Sequence, residues 1–333
     1  MKILNDIITL PRVLLAMSPS LDLTTGVVVC IPSFRRPHHL RLTLESLVRQ
    51  RTRRRFAVVV VENDAAKCES FSVADGFLSS GEISGLCIVE PRQGNCQAIN
   101  AAFETALATF ASASSFLMID DDEIASPDWL ERMVDVAEES GADLVGGPVF
   151  PDFGDESKRD LQRHPAFRPA YNASGPVPII YGCGNCLITR NVFTRLPDPA
   201  FDLRFNFLGG GDTDFFVRCL QGGMKFHWAA DAVINETVPT NRTKPSWLAL
   251  RGLRIGAINY HIQAKSADTL FLRLKLLAKV CAMLPLSLIR AGQLGLAERK
   301  IGFALHPIAI AAGSVLAVLG IEPEPYKDSN IPC

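Results

Sequence analysis

Three aspartates and a glutamate directly follow a hydrophobic stretch in FLMIDDDEIASPDWLERMV, residues 116–134. Neighbouring like charges repel one another, so a structural role gains nothing from this run unless a positive group lies among them. Carboxylate oxygens are the ligands that Mg²⁺ and Mn²⁺ prefer, and these ions keep positions open for phosphate. The run Asp120–Glu123 therefore predicts a hard divalent cation that assists the departure of a nucleoside diphosphate.

Two other interpretations of the acidic run are a calcium-binding loop and a solvated acidic loop. The segment DDDEIASPDWLE resembles an EF-hand calcium loop in its acidic positions, but Ile124 and Ala125 stand where that loop needs a ligand and a glycine. A strand, moreover, precedes the segment where an EF-hand has a helix. The calcium interpretation is therefore discounted, whereas a solvated acidic loop stays open.

The overall composition sets broad limits. The 333 residues have room for one large α/β domain or two smaller ones. Lys and Arg number 34 against 35 Asp and Glu, a formal net charge of -1, so no basic field favours nucleic acid as a partner. Nine scattered cysteines favour a reducing compartment. The lone pair Cys183 and Cys186 is only a weak zinc signal.

Apolar strands alternate with helical patterns ahead of the acidic run. Strands are predicted at 26–34, 55–64, 85–94 and 115–123, with helices at 39–50 and 94–111. This alternation is typical of a mostly parallel sheet covered by helices on both faces. Ligands of such sheets bind at the carboxyl ends of the strands, where Glu62, Asn63 and Asp64 also fall.

The later chain is less regular. A helix is predicted at 126–141, with Ser126 as N-cap and Pro127 in the first helical position, and a short strand follows within 142–150. Residues 150–180 are interpreted as a long excursion over the sheet. A glycine-rich turn then precedes Asp212 and Asp214 at the start of another helix.

Several phosphate chemistries lack their motifs. No G-x-G-x-x-G follows the first strand and no GxxxxGK[ST] occurs, so neither a dinucleotide fold of the Rossmann kind nor a P-loop is supported. Kinase signatures and HExxH are absent as well.

Both ends of the chain differ from the middle. Residues 1–20 are interpreted as an amphipathic helix or an extension packed on the domain. From about 265 cationic and apolar residues mix, and 301–321 is uncharged if His306 is neutral, a length that could cross a bilayer. Membrane association is expected, by in-plane binding, a re-entrant hairpin or a span, with a buried helical hairpin as the alternative.

Five motifs, in order, carry a family resemblance: VVVCIPSFRRPHHLRLTLESL, VVVVENDA, GNCQAINAAFETA, FLMIDDDEIASPDWL and GGGDTDFFVRCLQGG. Over residues 26–260 the chain resembles a family 2 glycosyltransferase with the GT-A fold, most similar to bacterial enzymes of exopolysaccharide (succinoglycan-type) synthesis. Three regions are expected: an extension (1–24), the GT-A domain that the resemblance indicates (25–264), and a helical, membrane-associated region outside the resemblance (265–333).

The resemblance also assigns roles to residues. Asp212 is implied as the general base that accepts the acceptor hydroxyl's proton, with Asp214 in support. Gly211 stands where the family commonly has Glu, and an N-cap role for Asp212 remains the alternative. The residues expected to contact the donor are Pro32, Arg35, Glu62, Asn63, Arg92, Asn100, Asp120 and Asp121. The expected ligands of Mn²⁺ or Mg²⁺ are Asp122, Asp120 and Glu236.

The expected activity is inverting, metal-dependent transfer from a nucleotide-sugar donor, UDP-glucose favoured, to a lipid-linked saccharide at the cytoplasmic face of the inner membrane. Because no Gln-x-x-Arg-Trp motif occurs, a single sugar is expected per encounter. Asn63, where the family usually has an acid, leaves uridine specificity open. A nucleotidyltransferase and a nucleotide-sugar-binding protein without turnover remain the competing hypotheses.

Overall fold

The computed structural model describes residues 12–321, with the side chain of Ile301 excepted. Within them the strands are β1 (Val13–Met17), β2 (Val27–Ser33), β3 (Phe56–Glu62), β4 (Gly85–Val89), β5 (Ser115–Met118), β6 (Glu123–Ala125), β7 (Leu144–Gly146), β8 (Val149–Asp152), β9 (Gly175–Val177), β10 (Cys186–Thr189), β11 (Phe226–Trp228) and β12 (Ile234–Thr237).

The α-helices in the same range are α1 (Pro37–Val48), α2 (Glu69–Ser80), α3 (Asn95–Thr109), α4 (Trp129–Ser140), α5 (Arg190–Arg195), α6 (Gly211–Gln221), α7 (Pro245–Lys265), α8 (Leu270–Glu298) and α9 (Ile301–Val318). Short 3₁₀ helices occur at Glu156–Arg163, Leu203–Phe205 and Thr240–Thr243.

The main sheet has the strand order β1-β4-β3-β2-β5-β10-β7-β11-β9. Strands β4, β3, β2 and β5 run parallel, whereas β10 is antiparallel to both of its neighbours. The predicted α/β fold with a largely parallel central sheet is thus confirmed. The central strands are buried on both faces: Val28 and Val59 pack into one core layer, Val29 and Val60 into the other.

A smaller sheet with the order β6-β12-β8 lies beside the acidic run. Its register places Glu236 of β12 opposite Glu123 of β6. Residues more than a hundred positions apart in the chain therefore carry their carboxylates at one place.

Two local predictions can be compared with the structure. Of the alternatives for residues 1–20, the packed extension is confirmed over Val13–Met17, which form an antiparallel edge strand, β1, on β4, whereas residues 1–11 lie outside the described range. The helix predicted from Ser126 begins at Trp129 with Asp128 as its N-cap residue. Ser126 instead accepts a backbone hydrogen bond from Trp129, which closes a turn ahead of the helix.

The predicted C-terminal helical region is confirmed by α8 and α9. Helix α9 packs closely against α7, because side chains are absent at Gly256 and Gly313. A Cβ at either glycine would collide with the backbone of the other helix, at Ile310 and Leu253 respectively. No helix among residues 12–321 is both long and apolar enough to cross a membrane.

Candidate active site

The carboxyl ends of β2, β3 and β5 form the floor of the site. Strand β2 pairs with β5 only as far as Cys30 and Met118, and with β3 as far as Ser33 and Glu62. Pro32 lies just beyond the end of the β5 pairing, and a proline has no N–H with which to extend that ladder. The strands therefore part at Pro32, and the acidic run fills the opening.

Asp121 is the structural member of the acidic run. One of its carboxylate oxygens accepts hydrogen bonds from the Ser33 hydroxyl at 2.8 Å and the Phe34 amide at 3.2 Å. Its other oxygen accepts one from Arg36 at 3.1 Å. Asp121 thus fixes the β2–α1 loop, as its burial indicates. From α1, the Thr43 hydroxyl lies 3.0 Å and 2.7 Å from the carbonyl oxygens of Asp121 and Glu123 and anchors the turn.

Two arginines face Asp122. Its Oδ2 lies 2.7 Å from Arg36 Nη1 and 3.8 Å from Arg242 Nη1. Arg242 also donates to Glu236 Oε1 at 3.0 Å. The acidic run therefore does contain the positive groups that its crowding requires, and they come from the β2–α1 loop and from the segment after β12.

The remaining carboxylates stay crowded. Burial, together with the charges of Asp122, Asp121 and Glu236, raises the pKa of Asp120 to about 8. Burial and the nearby Asp120 also raise the pKa of Glu123, and burial with Asp122 raises that of Glu236. Negative charge at this place is costly, and an added cation would stabilise it.

The predicted metal ligands have suitable chemistry for a cation, but their arrangement fits a metal site only in part. Hard oxygen donors whose pKa values are raised by one another suit Mg²⁺ or Mn²⁺. Among residues 12–321, however, no three His, Cys, Asp or Glu side chains are grouped to hold a metal ion. Arg36 and Arg242 occupy oxygens of Asp122 and Glu236 instead. The ligand set Asp122, Asp120 and Glu236 stays a prediction, in which Arg36 would compete with the metal ion for Asp122 Oδ2.

Asp212 lies in the first turn of α6. The helix begins at Gly211 with Gly210 as its N-cap residue, so the alternative of Asp212 as N-cap is wrong. Its Oδ1 accepts a 2.7 Å hydrogen bond from the Thr213 amide. Burial raises the pKa of Asp212, while the Thr213 hydrogen bonds and the charge of Arg254 partly oppose the rise. A carboxylate with a raised pKa is a stronger base than an exposed one.

Close packing explains why position 211 is a glycine. A Cβ at this position would lie 2.5 Å from Cys96 Sγ of α3. A larger side chain at this position would require the Cys96 side chain to move, and Asp212 is the acidic residue of the expected pair that this chain retains.

Asp214 has a different role from Asp212. It is only 2% exposed, and it accepts from Arg218 Nε at 2.9 Å and from Lys265 Nζ at 2.5 Å. Two cations fix this carboxylate in place. Asp214 therefore holds α6 against the end of α7, which supports Asp212 indirectly.

The thiols of Cys183 and Cys186 link the two acidic motifs. Burial raises the pKa of both thiols, and the charges of Asp212 and Asp120 raise it further. Asp212 and Asp120 thus influence the same buried thiols, and the role of Asp212 as the base stays a prediction.

Glu62 and Asn63 are engaged within the protein. Glu62 is fully buried and accepts from the amides of Asp64 and Ser70 at 2.9 and 2.8 Å. The Asn63 amide donates to the carbonyls of Glu90 and Arg92 and accepts from the Gly94 amide. Both side chains hold the strand ends together. Their contact with a nucleotide base stays a prediction, and it would require these bonds to rearrange.

The other predicted donor contacts are engaged with different parts of the protein. Arg35, in a left-handed backbone conformation, pairs with Asp64 at 2.5 Å. Arg92 is half exposed and pairs with Glu90. The Asn100 amide bonds the backbone of Phe201 in both directions. Arg92 and Asn100 line a cleft of about 700 Å³ whose walls do not include the acidic run, so the structure does not join them to Asp120.

Sequence reasoning missed three supports of this site. Thr43 and Lys265 carry no motif, and Glu123 begins a separate strand, β6, instead of ending the strand predicted at 115–123. The Asp120 amide donates to Glu123 Oε2 at 2.8 Å, and a Cβ at Gly184 would collide with the Glu123 carboxylate. The glycines around Gly184, after the long excursion, were the one available signal in the sequence. A glycine permits the close approach of the Glu123 carboxylate to the backbone.

Comparison with known families identifies the class of protein. The model of glycosyl transferase family 2 matches residues 28–196, and that of glycosyl transferase family group 2 matches residues 115–316. The chain belongs to family 2 of the glycosyltransferases, and it is an enzyme of sugar transfer. Both matches include the acidic run, and the second also includes Asp212.

Curated relatives refine this. Succinoglycan biosynthesis protein ExoM of Rhizobium meliloti (strain 1021) is 30% identical over 257 residues, which cover 76% of this chain and 79% of that protein. A glucosyl-dolichyl phosphate glucuronosyltransferase of Haloferax volcanii is 31% identical over 148 residues, 43% of this chain and 42% of that protein. The exopolysaccharide type of the family is thereby supported.

A solved structure supports the fold. A mannosyltransferase from Pyrobaculum calidifontis, in complex with GDP-Man and Mn²⁺, superposes with a TM-score of 0.59 at 18% identity and covers 96% of this chain and 93% of its own. At that identity the likeness shows the GT-A fold alone. The predicted fold is confirmed.

Proposed function

We propose that this chain is an inverting, non-processive glycosyltransferase that moves one sugar, with UDP-glucose the favoured donor, onto a lipid-linked saccharide in exopolysaccharide or cell-surface polysaccharide synthesis. The observation that carries the proposal is the crowded acidic run at the strand ends, where Glu236 lies opposite Glu123 and where Arg36 and Arg242 face the carboxylates. One carboxylate serves as base beside a separate acidic run suited to a diphosphate and its cation.

The transfer step is a single displacement. The acceptor oxygen forms a bond to the anomeric carbon, and the bond from that carbon to the diphosphate oxygen breaks with its electron pair leaving on the nucleoside diphosphate. Asp212 takes the proton of the acceptor hydroxyl during the attack. Since attack comes from the face opposite the leaving group, the configuration inverts.

A divalent cation, Mn²⁺ or Mg²⁺, is part of the proposal. Asp122, Asp120 and Glu236 would hold it, and it would supply positive charge for the departing diphosphate. Arg36 and Arg242 lie against two of these carboxylates and are placed to turn to the phosphates once those oxygens are engaged. Asp121 keeps the β2–α1 loop in position throughout.

The lipid-linked acceptor and the cytoplasmic face of the inner membrane are also proposals. Similarity to ExoM, a succinoglycan biosynthesis protein, and the exposed apolar side chains of α8 support them.

Release of UDP from a panel of UDP-sugars, with lipid-linked oligosaccharide as acceptor, tests the proposal. We expect release with one donor, dependent on Mn²⁺ and lost in Asp122→Ala and Asp212→Asn. Thr194→Ala, an exposed site on α5, is the matched control and retains release. Donor binding without turnover for every donor and acceptor would favour a nucleotide-sugar-binding protein instead.

A further inference from the structure

Helix α8 has little of its surface covered. Its 29 residues bury one narrow stripe, at Leu276, Val280, Ser287 and Ala291, spaced as one face of a helix. Most of the remaining circumference faces outward.

The outward side of α8 is apolar. Leu270, Leu274, Leu277 and Leu288 recur at helical spacing and form one row along the helix, and Phe271 and Leu296 widen it. Leu270 is 73% exposed and Leu296 is 83% exposed. We call these six residues the apolar face of α8. Soluble surfaces rarely carry so continuous an apolar patch without a partner.

Positive charge flanks this face. Lys275, Lys279 and Arg290 fall on one side of the helix, between the apolar face and the buried stripe. No aspartate or glutamate occurs from residue 270 to 297. An apolar face bordered by cations and free of acids complements an anionic lipid surface.

The geometry points to α8 lying in the plane of an anionic bilayer, with the apolar face among the acyl chains and the cationic flank at the headgroups; we propose this as the membrane contact of the enzyme. The inference rests on the proposed function, which places the acceptor in a membrane. Its test measures binding alone.

An in-plane orientation follows from where the charges lie. Lys275, Lys279 and Arg290 are distributed over four turns, so a helix perpendicular to the bilayer would carry them into the hydrocarbon. A second copy of the chain is a poorer occupant, because a symmetric interface would bring the same cationic flank from each side.

The membrane contact would connect directly to the catalytic helix. Helix α8 packs on α9, α9 packs on α7, and Lys265 at the end of α7 binds Asp214 of α6. Asp212 lies two residues away, in the same first turn of α6.

Flotation with vesicles tests the inference. The full chain is mixed with vesicles of phosphatidylcholine alone or of equal parts phosphatidylcholine and phosphatidylglycerol. We expect binding to the mixed vesicles that weakens roughly tenfold or more in L274Q/L277Q/L288Q and in K275Q/K279Q/R290Q. L203Q/L220Q, at exposed leucines outside α8, is the matched control and binds as the wild type does.

Three outcomes would overturn the inference: no binding of the wild type to either vesicle, equal binding by the leucine variant, or a wild-type dimer that becomes monomeric in the leucine variant without vesicle binding. UDP-donor binding, measured on the same samples, should be unchanged in every variant. If the wild type does not bind the donor, the result counts against the proposed function instead. Failure of the membrane contact and failure of the proposed function are therefore distinguishable.

Discussion

Lys265 Nζ lies 2.5 Å from Asp214 Oδ1 and 2.8 Å from Asp202 Oδ2, and so joins the last turn of α7 to the first turn of α6. Asp214 is two residues from Asp212 on that same helix. The candidate base therefore takes its position partly from a residue 53 positions away.

Lys265→Met should destabilise the protein. It leaves the buried Asp214 with one cation instead of two, and breaking a buried pair typically costs about 3 kcal/mol. Urea unfolding measures the change. Lys300→Met removes the exposed pair with Asp160 and is the matched control, which should leave the midpoint unchanged. Equal midpoints for both variants would contradict the structural role of Lys265.

Asp212→Asn should lower kcat by about 10²–10⁴-fold and leave donor binding unchanged, because the amide cannot accept the acceptor's proton. The base must be ionised, and burial raises the pKa of Asp212 above its usual 3.8. The wild-type kcat should therefore fall as the pH drops through that raised pKa, and it should level off above it. A kcat independent of pH on the acid side would assign the base elsewhere.

Gly211→Ala should destabilise the protein by about 1–3 kcal/mol, since the new Cβ would lie 2.5 Å from Cys96 Sγ. Cys96→Ala in the same chain removes that sulfur and should restore part of the loss. Gly76→Ala, where nothing lies within 4 Å of the new Cβ, is the control inside α2 and should stabilise by about 0.5–1 kcal/mol. Thermal unfolding of these three variants and of the wild type measures the changes. Failure of Cys96→Ala to rescue would remove the packing explanation.

Arg36→Gln should strengthen Mn²⁺ binding by about tenfold, because the guanidinium no longer competes for Asp122 Oδ2 at 2.7 Å. Calorimetric titration with Mn²⁺ alone provides a readout separate from activity. Arg51→Gln, which removes an exposed pair with Asp128, should leave the affinity as in the wild type. Mn²⁺ affinity in Arg36→Gln no higher than in the wild type would contradict competition between Arg36 and the metal for Asp122.

Acid should loosen the C-terminal helices. His164 and His306 pack ring against ring at 4.9 Å, and burial, with Arg251 and Arg168 nearby, lowers the pKa of both to about 4. The unfolded chain takes up these protons near pH 6.5, so the stability present above that pH is lost as the pH falls toward 4. His306→Leu should flatten this loss in urea unfolding, whereas the exposed His38→Leu should not. If the stability of His306→Leu falls with decreasing pH as steeply as that of the wild type, the proposed role of His306 is contradicted.

The parts of this structure that local sequence could predict are those with local causes. The valine-rich strands and the aspartates that follow β5 were predictable. A strand buried on both faces and a polar strand end can each be recognised from a stretch of about ten residues. The partners of Asn63 were not, since its amide bonds residues 27 to 31 positions away. Strand β1 was missed for the same reason: VLLAM does not alternate, and its conformation depends on β4.

The candidate site shows the same division. Asp120, Asp122 and Asp212 could be named as candidates from motifs, whereas the contacts of Arg36 with the carboxylates could not. No sequence pattern indicates the roles of Lys265 and Thr43. Their bonding partners lie 51 positions away for Lys265 and 78 and 80 positions away for Thr43. Charge neutralisation at a buried site depends on the whole fold, and a local pattern does not carry it.

The glycine contacts between α7 and α9 have a consequence for the reach of the enzyme. Gly256 and Gly313 bring the two backbones together with no side chain between them, so the helices cannot slide or swing apart easily. If α8 rests on a bilayer, this stiffness fixes the height of Asp212 above the lipid surface. An acceptor would then be selected by the length of its saccharide as well as by its sugars, because only a hydroxyl at that height meets the base.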